Sequence, residues 1–351
     1  MDTKELALNA AHWLSGADDE DGMVISCRAR LARNLASVPF AQRSSDEQQE
    51  GVIDRVLTAA RTSSQMSHGI FYKMNALQNS DRRLLVERHL VSPALANSKG
   101  PRGVLFNPDE LLSVMINEED HLRLQAILPG LQTTEAWKQI DGLDDELGVG
   151  LDYARSDELG FLTACPTNTG TGLRVSVLIH LPALALTDDM QRVTRGLTHM
   201  SFTVRGVYGE GTNAAGNLFQ VSNQTTLGKS EEQIVESLTK VTRELIEWER
   251  NAQETLLGDA RSQIEDKVWR AYGILSHARV LSSQEFMNLL SALRLGRTLS
   301  IVDDISSKFM NHLMIETQPS HLESHAGEPL KPEDRDVVRA QTVRQRMANR
   351  G

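Results

Sequence analysis

The chain has 351 residues, of which 40% are hydrophobic and 24% are charged, a globular composition that excludes fibrous and intrinsically disordered proteins. Its 37 basic and 47 acidic residues give a net charge of −10, which excludes an overall basic surface for nucleic acid. A chain with only two cysteines, Cys27 and Cys165, excludes a disulfide framework. The lack of a signal peptide and of an apolar run of about 20 residues predicts a cytoplasmic protein without a membrane helix.

The first two thirds of the chain predict short strands mixed with helices. A short helix within residues 1–22 precedes a strand at 24–31, and a helical apolar period runs over residues 45–64. The acidic stretch 141–158 is expected to form a loop. Short apolar segments punctuated by Gly, Pro and Asn favour a largely antiparallel sheet. These segments lie at 69–74, 103–106, 111–116, 173–181, 201–208 and 217–222.

From Ser230 onward the sequence predicts helices. Ser230 and Gln233 have the spacing of a capping box at the start of a long amphipathic helix. Ser282 is expected to cap another helix, which Gly296 would end. Residues 321–332 are rich in His, Pro and Gly, so they are expected to link this region to a last helix.

These elements predict an α+β fold in two domains. Residues 1–255 would form a catalytic-type body with an antiparallel sheet flanked by helices, and residues 256–351 an all-helical C-terminal domain. An apolar stripe in the second domain suits either a homodimer interface or an internal core. Its members are Ile264, Val268, Tyr272 and Ile274.

Two segments resemble nucleotide-binding motifs but lack a defining feature. The first glycine of a P-loop that ends at Gly228-Lys229-Ser230 would stand at position 223, which is Asn. The glycines at 209 and 211 precede a strand-like segment instead of the helix of a dinucleotide fold. Classical nucleotide-binding folds are therefore excluded.

Residues 117–123 place several ionisable side chains directly after an apolar segment. In an extended chain, the period of two would put Glu119, His121 and Arg123 on one face and Glu118 and Asp120 on the other. Taken alone, such a run is more typical of a solvated strand end than of a catalytic site.

A second candidate segment, 161–174, is a Gly- and Thr-rich turn between Cys165 and Arg174. Its glycines would let backbone amides approach an anion, and the arginine adds a planar fork of donors. A lone cysteine is more often a small buried apolar residue than a reactive one. Cys165 alone therefore does not establish a site.

Arginines accompany several of the strand-like segments of this acidic chain. The glycine-rich stretch 205–211 also carries the carboxylate of Glu210. Several arginines that converge could bind a polyphosphate through bidentate contacts. These arginines are Arg28, Arg30, Arg123, Arg174 and Arg205.

Taken together and in this order, these segments resemble the ATP:guanido phosphotransferase family, the phosphagen kinases. The resemblance runs from Val24 to about Leu227 and rests on Ser-x-Arg-x-Arg, Asn-Glu-Glu-Asp-His, Cys-Pro-Thr-Asn-x-Gly-Thr-Gly-Leu-Arg and Arg-Gly-x-x-Gly-Glu. Cys27 stands where relatives commonly have a second serine.

Two further features are similar to the bacterial protein arginine kinases of this family. Only about 23 residues precede the first motif, which implies that the helical N-terminal domain of the phosphagen kinases is missing. The last helix also matches the Arg-Asp-x-x-Arg-Ala element by which those kinases recognise phosphoarginine. The matching residues are Arg335, Asp336, Val337, Val338, Arg339 and Ala340.

The resemblance implies transfer of the γ-phosphoryl group of ATP to the guanidinium of a protein arginine. It implies that Glu119 is the base, Glu210 the second carboxylate and Cys165 a thiolate beside the substrate. Mg²⁺ would be held mainly by the nucleotide phosphates, without a metal site in the protein. The implied nucleotide contacts are Ser26, Cys27, Arg28, Ala29, Arg30, His89, Arg123, Arg174, Val175, Ser176, Val177, Leu178, Arg205, Gly206, Val207, Tyr208, Gly209 and Glu210.

The resemblance also implies a cellular role and partners. The substrates would be proteins with exposed arginines, including a heat-shock repressor, marked for a Clp ATPase and protease with a McsA-type activator. The chain would form a homodimer or higher oligomer that phosphoarginine regulates, without nucleic-acid or membrane contact. Two alternatives stay open: a phosphagen kinase that acts on free arginine or another small guanidino compound, and a non-catalytic phosphoarginine-binding adaptor.

Overall fold

The structure, a computed structural model, describes residues 3–15, 22–207 and 214–349. Ten strands form within these residues: β1 (Val24–Arg33), β2 (Ile70–Lys73), β3 (Gly103–Phe106), β4 (Leu112–Ile116), β5 (Leu122–Pro129), β6 (Arg155–Ser156), β7 (Gly160–Phe161), β8 (Leu173–His180), β9 (Phe202–Gly206) and β10 (Leu218–Asn223). Eight of them form one antiparallel sheet in the order β2-β3-β4-β5-β1-β8-β10-β9, and β6 pairs with β7. The predicted α+β class is therefore confirmed.

The described helices surround this sheet and form the C-terminal region. They are α1 (Thr3–Leu8), α2 (Asp46–Ala60), α3 (Asn79–Glu87), α4 (Pro93–Asn97), α5 (Thr133–Gly148), α6 (Pro182–Leu186), α7 (Met190–His199), α8 (Glu231–His277), α9 (Ser283–Thr298), α10 (Ser307–Glu316), α11 (Pro319–Ala326) and α12 (Pro332–Ala348). None of these helices is long and apolar enough to cross a membrane.

The two faces of the sheet differ in chemistry. Along β1, the side chains of Cys27, Ala29 and Leu31 are fully buried in a core that also contains residues of α2, α5 and α8. Because side chains alternate along a strand, Ser26, Arg28 and Arg30 lie on the opposite face. Helices α2, α5 and α8 thus cover the apolar face, and the arginines lie on the other face, where further helices pack beside them.

Helix α5 corrects the expectation of a loop at 141–158, because the stretch begins with the last turns of this helix. The reason is a buried ion pair. Asp144 accepts hydrogen bonds from Arg33 Nε at 2.9 Å and Nη2 at 2.7 Å, and both side chains are nearly inaccessible to solvent. The same guanidinium stacks on the ring of Phe161 at 3.5 Å and donates to the carbonyl of Thr171.

Helix α8 runs for 47 residues from the sheet into the C-terminal region. It begins with the predicted capping box of Ser230 and Gln233, and it is broken at Ala260, whose φ of −142° is not helical. The predicted linker 321–332 is wrong in part, since α11 occupies its first residues.

Gly296 does not end its helix as predicted but lies inside α9. A Cβ atom at this position would lie 2.3 Å from Cγ1 of Val268 on α8, so the glycine allows the two helices to pack closely. Val268 and Ile264 belong to the internal core of this region, whereas Ile274 of the same stripe is 36% exposed.

We expect Gly296→Ala to lower the free energy of unfolding by about 1–3 kcal/mol, because the added methyl group overpacks the contact with Val268. The matched control is Gly273→Ala on α8, where an added Cβ meets no atom within 4 Å. This control should raise stability by about 0.5–1 kcal/mol through helix propensity. Urea unfolding followed by circular dichroism measures both, and equal effects would contradict the packing role.

Candidate active site

The predicted arginines meet on one face of the sheet. Arg28 and Arg30 lie two residues apart on β1, and Arg30 is directly opposite Arg174 on β8. Arg123 on β5 is opposite Ala32, which shares the face of Arg30. Arg205 on β9 is opposite Gln220 on β10, which is opposite Leu178 on β8. Arg205 therefore belongs to the same face, two strands from β8. Since directly opposed residues share a face, strand register assembles this arginine face.

Within the part of the chain that the structure describes, these arginines carry more positive charge than nearby carboxylates neutralise. Among the described residues, Arg123 is the one member of the set with ion pairs to carboxylates, at Glu118 and Glu119. Burial, followed by the charge of Arg123, lowers the pKa of Arg28 to about 10. Burial and the neighbouring arginines also lower the pKa of Arg30 and of Arg174, and their Nε atoms are buried without a partner. The arginine face therefore suits a polyanion.

A small cleft of about 50 Å³ lies at one end of the arginine face. His89 enters it from the loop after α3 with a left-handed φ of 61°, and its Nε2 atom is buried without a partner. Burial, with a smaller effect of Arg28, lowers the pKa of His89 to about 4, so the imidazole is neutral at pH 7. The predicted nucleotide residues that line this cleft are Ser26, Arg28, His89, Ser176, Leu178 and Val207.

A second cavity, of about 190 Å³, lies beside Arg30. The catalytic candidates Glu119 and Cys165 both line it, together with Arg123, Arg174 and neighbours from the Cys165 loop. Asn168 Nδ2 lies 3.5 Å from Glu119, and the Cys165 Sγ atom lies 3.0 Å from the hydroxyl of Thr167. A carboxylate and a thiol thus face one polar cavity at the end of the arginine face.

The two adjacent glutamates differ in their surroundings. Glu118 is nearly inaccessible to solvent and is held by Ser92 at 2.7 Å and by Arg123 at 2.8 Å. The Glu119 side chain is 36% exposed and forms a longer contact with Arg123, at 3.2 Å. Glu118 is therefore committed to neutralising Arg123, and Glu119 is the carboxylate accessible to a substrate.

The hairpin 117–121 also corrects the predicted alternation of its side chains. It is the turn between β4 and β5, with Asn117 at a φ of 60°, so a period of two does not apply. Asp120 is buried and accepts hydrogen bonds from Asn34 Nδ2 and from the backbone amide of Ala164, both at 2.7 Å. It therefore ties the residue next to Glu119 to the residue before Cys165.

His121, the last residue of the hairpin, is fully buried beneath it. Its Nδ1 accepts from the amide of Leu35 at 3.0 Å, so the neutral ring donates from Nε2 to the carbonyl of Pro39 at 2.8 Å. Both imidazole nitrogens are engaged, which makes His121 a support for the hairpin.

The glycines of the Cys165 loop also serve backbone packing. A Cβ at Gly172 would lie 2.7 Å from the carbonyl oxygen of Ala32, and one at Gly170 would lie 2.4 Å from that of Thr226. Both glycines also have positive φ. The loop therefore packs directly on β1 and on the segment after β10.

Some predicted nucleotide residues are not brought to the arginine face. The side chains of Cys27, Ala29, Val175 and Val177 are fully buried in the core on the other face, so they do not reach the arginine face. Burial raises the pKa of Cys27 to about 11. Gly206 ends β9 beside Arg205. Tyr208, Gly209 and Glu210 lie outside the described residues.

The predicted phosphoarginine element lies on α12, and its residues differ in accessibility. Arg339 is buried and donates to the carbonyls of Leu281 at 2.8 Å and Thr317 at 3.2 Å and to Asp336 at 2.5 Å. It thus joins α12 to neighbouring helix ends. Arg335 and Asp336 are half-buried, Val337 is exposed, Val338 is half-buried and Ala340 is buried.

Sequence reasoning gave no role to several residues of the site. Asn168 and Thr167 line the cavity with Glu119, and they are part of the Cys-Pro-Thr-Asn motif. Asn34 supports the hairpin through Asp120 and also accepts from the amide of His121 at 2.9 Å. No local pattern around Asn34 indicates this role, because its partners are 86 and 87 residues away.

Comparison with known proteins gives matches over both regions. The family "ATP:guanido phosphotransferase, C-terminal catalytic domain" matches residues 51–252, and the "Protein-arginine kinase McsB C-terminal domain" matches residues 261–350. The chain is 45% identical to the protein-arginine kinase of Halothermothrix orenii, with 97% of each chain covered, and 46% identical to that of Moorella thermoacetica, over 96% of this chain and 97% of the relative. The fold is similar to the crystal structure of lombricine kinase, with a TM-score of 0.58, 25% identity and coverage of 67% of this chain and 68% of that one.

We expect Asp120→Ala to lower phosphoryl transfer about 100-fold, because Glu119 and Cys165 lose the bond that sets their relative position. Asp120→Asn keeps one accepting oxygen and should lose much less. The alkylation rate of Cys165 by iodoacetamide gives an independent measurement and should rise in the alanine variant. Wild-type activity and alkylation in Asp120→Ala would show that this bond does not organise the site.

Proposed function

The chain belongs to the ATP:guanido phosphotransferase family, and on this basis we propose that it transfers the γ-phosphoryl group of ATP to arginine side chains of proteins. The observation that carries the proposal is the arrangement of Glu119 and Cys165 around one cavity at the end of the arginine face. The similarity to protein-arginine kinases over nearly the whole chain supports a protein as the acceptor.

The chemical difficulty of this reaction is the protonated state of the acceptor. With a pKa of about 12.5–13.8, roughly one arginine in 10⁶ is neutral at pH 7, a handicap of about 7.5–9 kcal/mol. A positioned base typically contributes about 10²–10⁴-fold. In the proposed mechanism Glu119 takes the proton, because it is exposed to the cavity while Glu118 is held by Arg123 and Ser92. Alignment of the guanidinium with the phosphoryl group supplies much of the remaining effect.

Two further groups would hold the guanidinium. We assign Cys165 to this role because its thiol lines the cavity with Glu119. Glu210 is proposed as the second carboxylate, since two carboxylates can grip the donor fork of a guanidinium from two sides. Glu210 follows Val207, which lines the neighbouring cleft, by three residues.

The nucleotide would lie along the arginine face. Arg28, Arg30, Arg123, Arg174 and Arg205 would neutralise phosphate charge, which spreads over the equatorial oxygens in a loose transition state. The unpartnered Nε atoms of Arg30 and Arg174 support this binding mode. Mg²⁺ bound to the phosphates would add positive charge there. The neutral His89 would contact the nucleotide from the cleft at the other end.

We also propose that the chain has two functional parts, a catalytic unit at residues 1–255 and a regulatory unit at 256–351. The break of α8 at Ala260 supports a boundary in this region, as does the change of matching family between residues 252 and 261. Within the second unit, phosphoarginine would bind at 335–340. Arg335 and Asp336 are the accessible charged residues of this element, while Arg339 is committed to backbone carbonyls.

The cellular part of the proposal follows the family resemblance. The chain would act in the cytoplasm on stress-damaged proteins and a heat-shock repressor, with a McsA-type activator, and mark them for a Clp ATPase and protease. A homodimer or higher oligomer is proposed with it. The exposed side chains of Trp269 and Ile274 on the C-terminal half of α8 support a contact with a second copy.

Two other functions give different experimental results. A kinase for free arginine or another small guanidino compound would prefer the free amino acid over an unfolded protein as the acceptor. A phosphoarginine-binding adaptor would bind its ligand without phosphorylating anything. The accessible Glu119 in a cavity with Cys165 favours an enzyme over the adaptor.

We expect incubation with MgATP and an arginine-rich unfolded protein to give phosphoarginine, detected by mass spectrometry at neutral pH because the product is acid-labile. Glu119→Gln should lower the rate about 10²–10⁴-fold through loss of the base. Glu135→Gln, an exposed position on α5, is the matched control and should retain wild-type activity. Preference for free arginine, or equal rates in the two variants, would overturn the proposed reaction or the base.

We expect Asp336→Ala to abolish the response of the kinase to added phosphoarginine. The variant loses an accessible carboxylate that could hold the ligand's guanidinium, and the same carboxylate accepts a hydrogen bond that orders Arg339. Asp334→Ala, an exposed acidic position on the same helix, serves as the control. The measurement is the initial rate over a range of phosphoarginine concentrations. An unchanged response in Asp336→Ala would remove α12 from regulation.

A further inference from the structure

One contact of helix α11 in the C-terminal region with the catalytic part of the chain is made by a largely buried carboxylate. Glu87, the last residue of α3, accepts hydrogen bonds from the backbone amide of Ser320 at 2.9 Å and from that of His321 at 3.3 Å. It also lies 2.9 Å from His321 Nδ1. The side chain of His321 is 1% exposed and that of Glu87 12%. The first turn of α11 is therefore capped by a carboxylate from another part of the fold.

The two residues after Glu87 lead directly into the nucleotide cleft. Arg88 is buried, forms a two-pronged ion pair with Glu110 and donates to the carbonyl of Asn9 at 2.9 Å. His89 follows with its left-handed φ of 61°, and its carbonyl accepts from Gln125 at 2.7 Å. Such a backbone conformation is unfavourable for a residue other than glycine, so it persists only where neighbours hold it.

We propose that Glu87 is a positioning residue for the nucleotide cleft and that α11 holds His89 in place through it. This inference rests on the proposed function, in which the cleft binds ATP. Glu87 fixes the chain immediately before the strained position, and Arg88 fixes the next residue. With the contact to α11 lost, the end of α3 is free to relax and His89 loses part of its fixed orientation. The C-terminal region thereby sets the affinity for the nucleotide.

A second contact between the same two helices provides a matched control. Arg83 lies one turn before Glu87 on α3 and forms an ion pair of 2.9 Å with Glu323 on α11. Its side chain is 52% exposed, so its removal costs little. Arg83→Ala therefore breaks a bond between the same helices without touching the residues that lead to His89.

The test compares the affinity for MgADP in the full-length protein, measured by titration calorimetry, with KM and kcat for ATP. We expect His321→Ala to raise the Kd for MgADP and the KM for ATP about three- to tenfold with little change in kcat, the effect of one hydrogen bond of ordinary strength, because His321 acts on the cleft only through Glu87. His321→Asn keeps a donor near the position of Nδ1 and should restore the affinity. Arg83→Ala should bind like the wild type.

Glu87→Gln tests the same contact from the other side, since its amide group would face the backbone amides of α11. It should weaken MgADP binding. The double variant Glu87→Gln/His321→Ala should bind MgADP no less tightly than the single variant with the lower affinity, because both substitutions remove the same contact. Folded His321→Ala and Glu87→Gln proteins with wild-type affinity would overturn the proposal. So would equal weakening in Arg83→Ala, which would indicate general loosening of the two helices.

Failure of the proposed function gives a different result. If the wild-type protein did not bind MgADP, the assignment of the cleft would be wrong. If it bound the nucleotide but phosphorylated no arginine, the reaction would be wrong, while the effect of His321→Ala on affinity would still test the role of Glu87.

Discussion

The structure depends on the concentration of positive charge on one face of its central sheet. Arg28, Arg30 and Arg174 lie close together there, and burial, with a smaller effect of neighbouring arginines that include Arg123, lowers their pKa values. The opposite face carries the largest apolar core, while helices also pack on the arginine-bearing face beside the arginines, against Met115 and against Ile127. Arg33, whose side chain is buried with α5, is tolerated because Asp144 and the ring of Phe161 surround its charge. The charged site and the largest core thus lie on opposite faces of the same strands.

The hairpin 117–121 shows how position changes the role of similar side chains. Glu118 neutralises an arginine, Glu119 remains accessible, and Asp120 bonds to a neighbouring loop. His121 is buried and fully hydrogen-bonded. Three consecutive carboxylates and an imidazole thus leave a single group available to a substrate. The site is preorganised because the side chains next to Glu119 are each held by a fixed hydrogen-bond or ion-pair partner.

The sequence was informative where local rules decide the structure. The period of two places Arg28 and Arg30 on one face, and the capping box at Ser230 marks the start of α8. Other features depend on partners distant in the chain. Residues 141–148 are helical with Asp144 bound to Arg33, and Gly296 lies within α9, where Val268 packs against it. Strand β5 is not predicted from the sequence, because its apolar residues directly follow the charged residues of the hairpin 117–121.

The contact between Glu87 and His321 joins residues 234 positions apart. Synthesis on the ribosome proceeds from the N-terminus, at about 5–20 residues per second. The sheet and its arginines are therefore complete in sequence well before α11 emerges. During this interval the nascent chain has its arginine face but lacks the contact between α11 and the end of α3. With the proposed role of Glu87, the native cleft is therefore completed only after residue 321 has been synthesised.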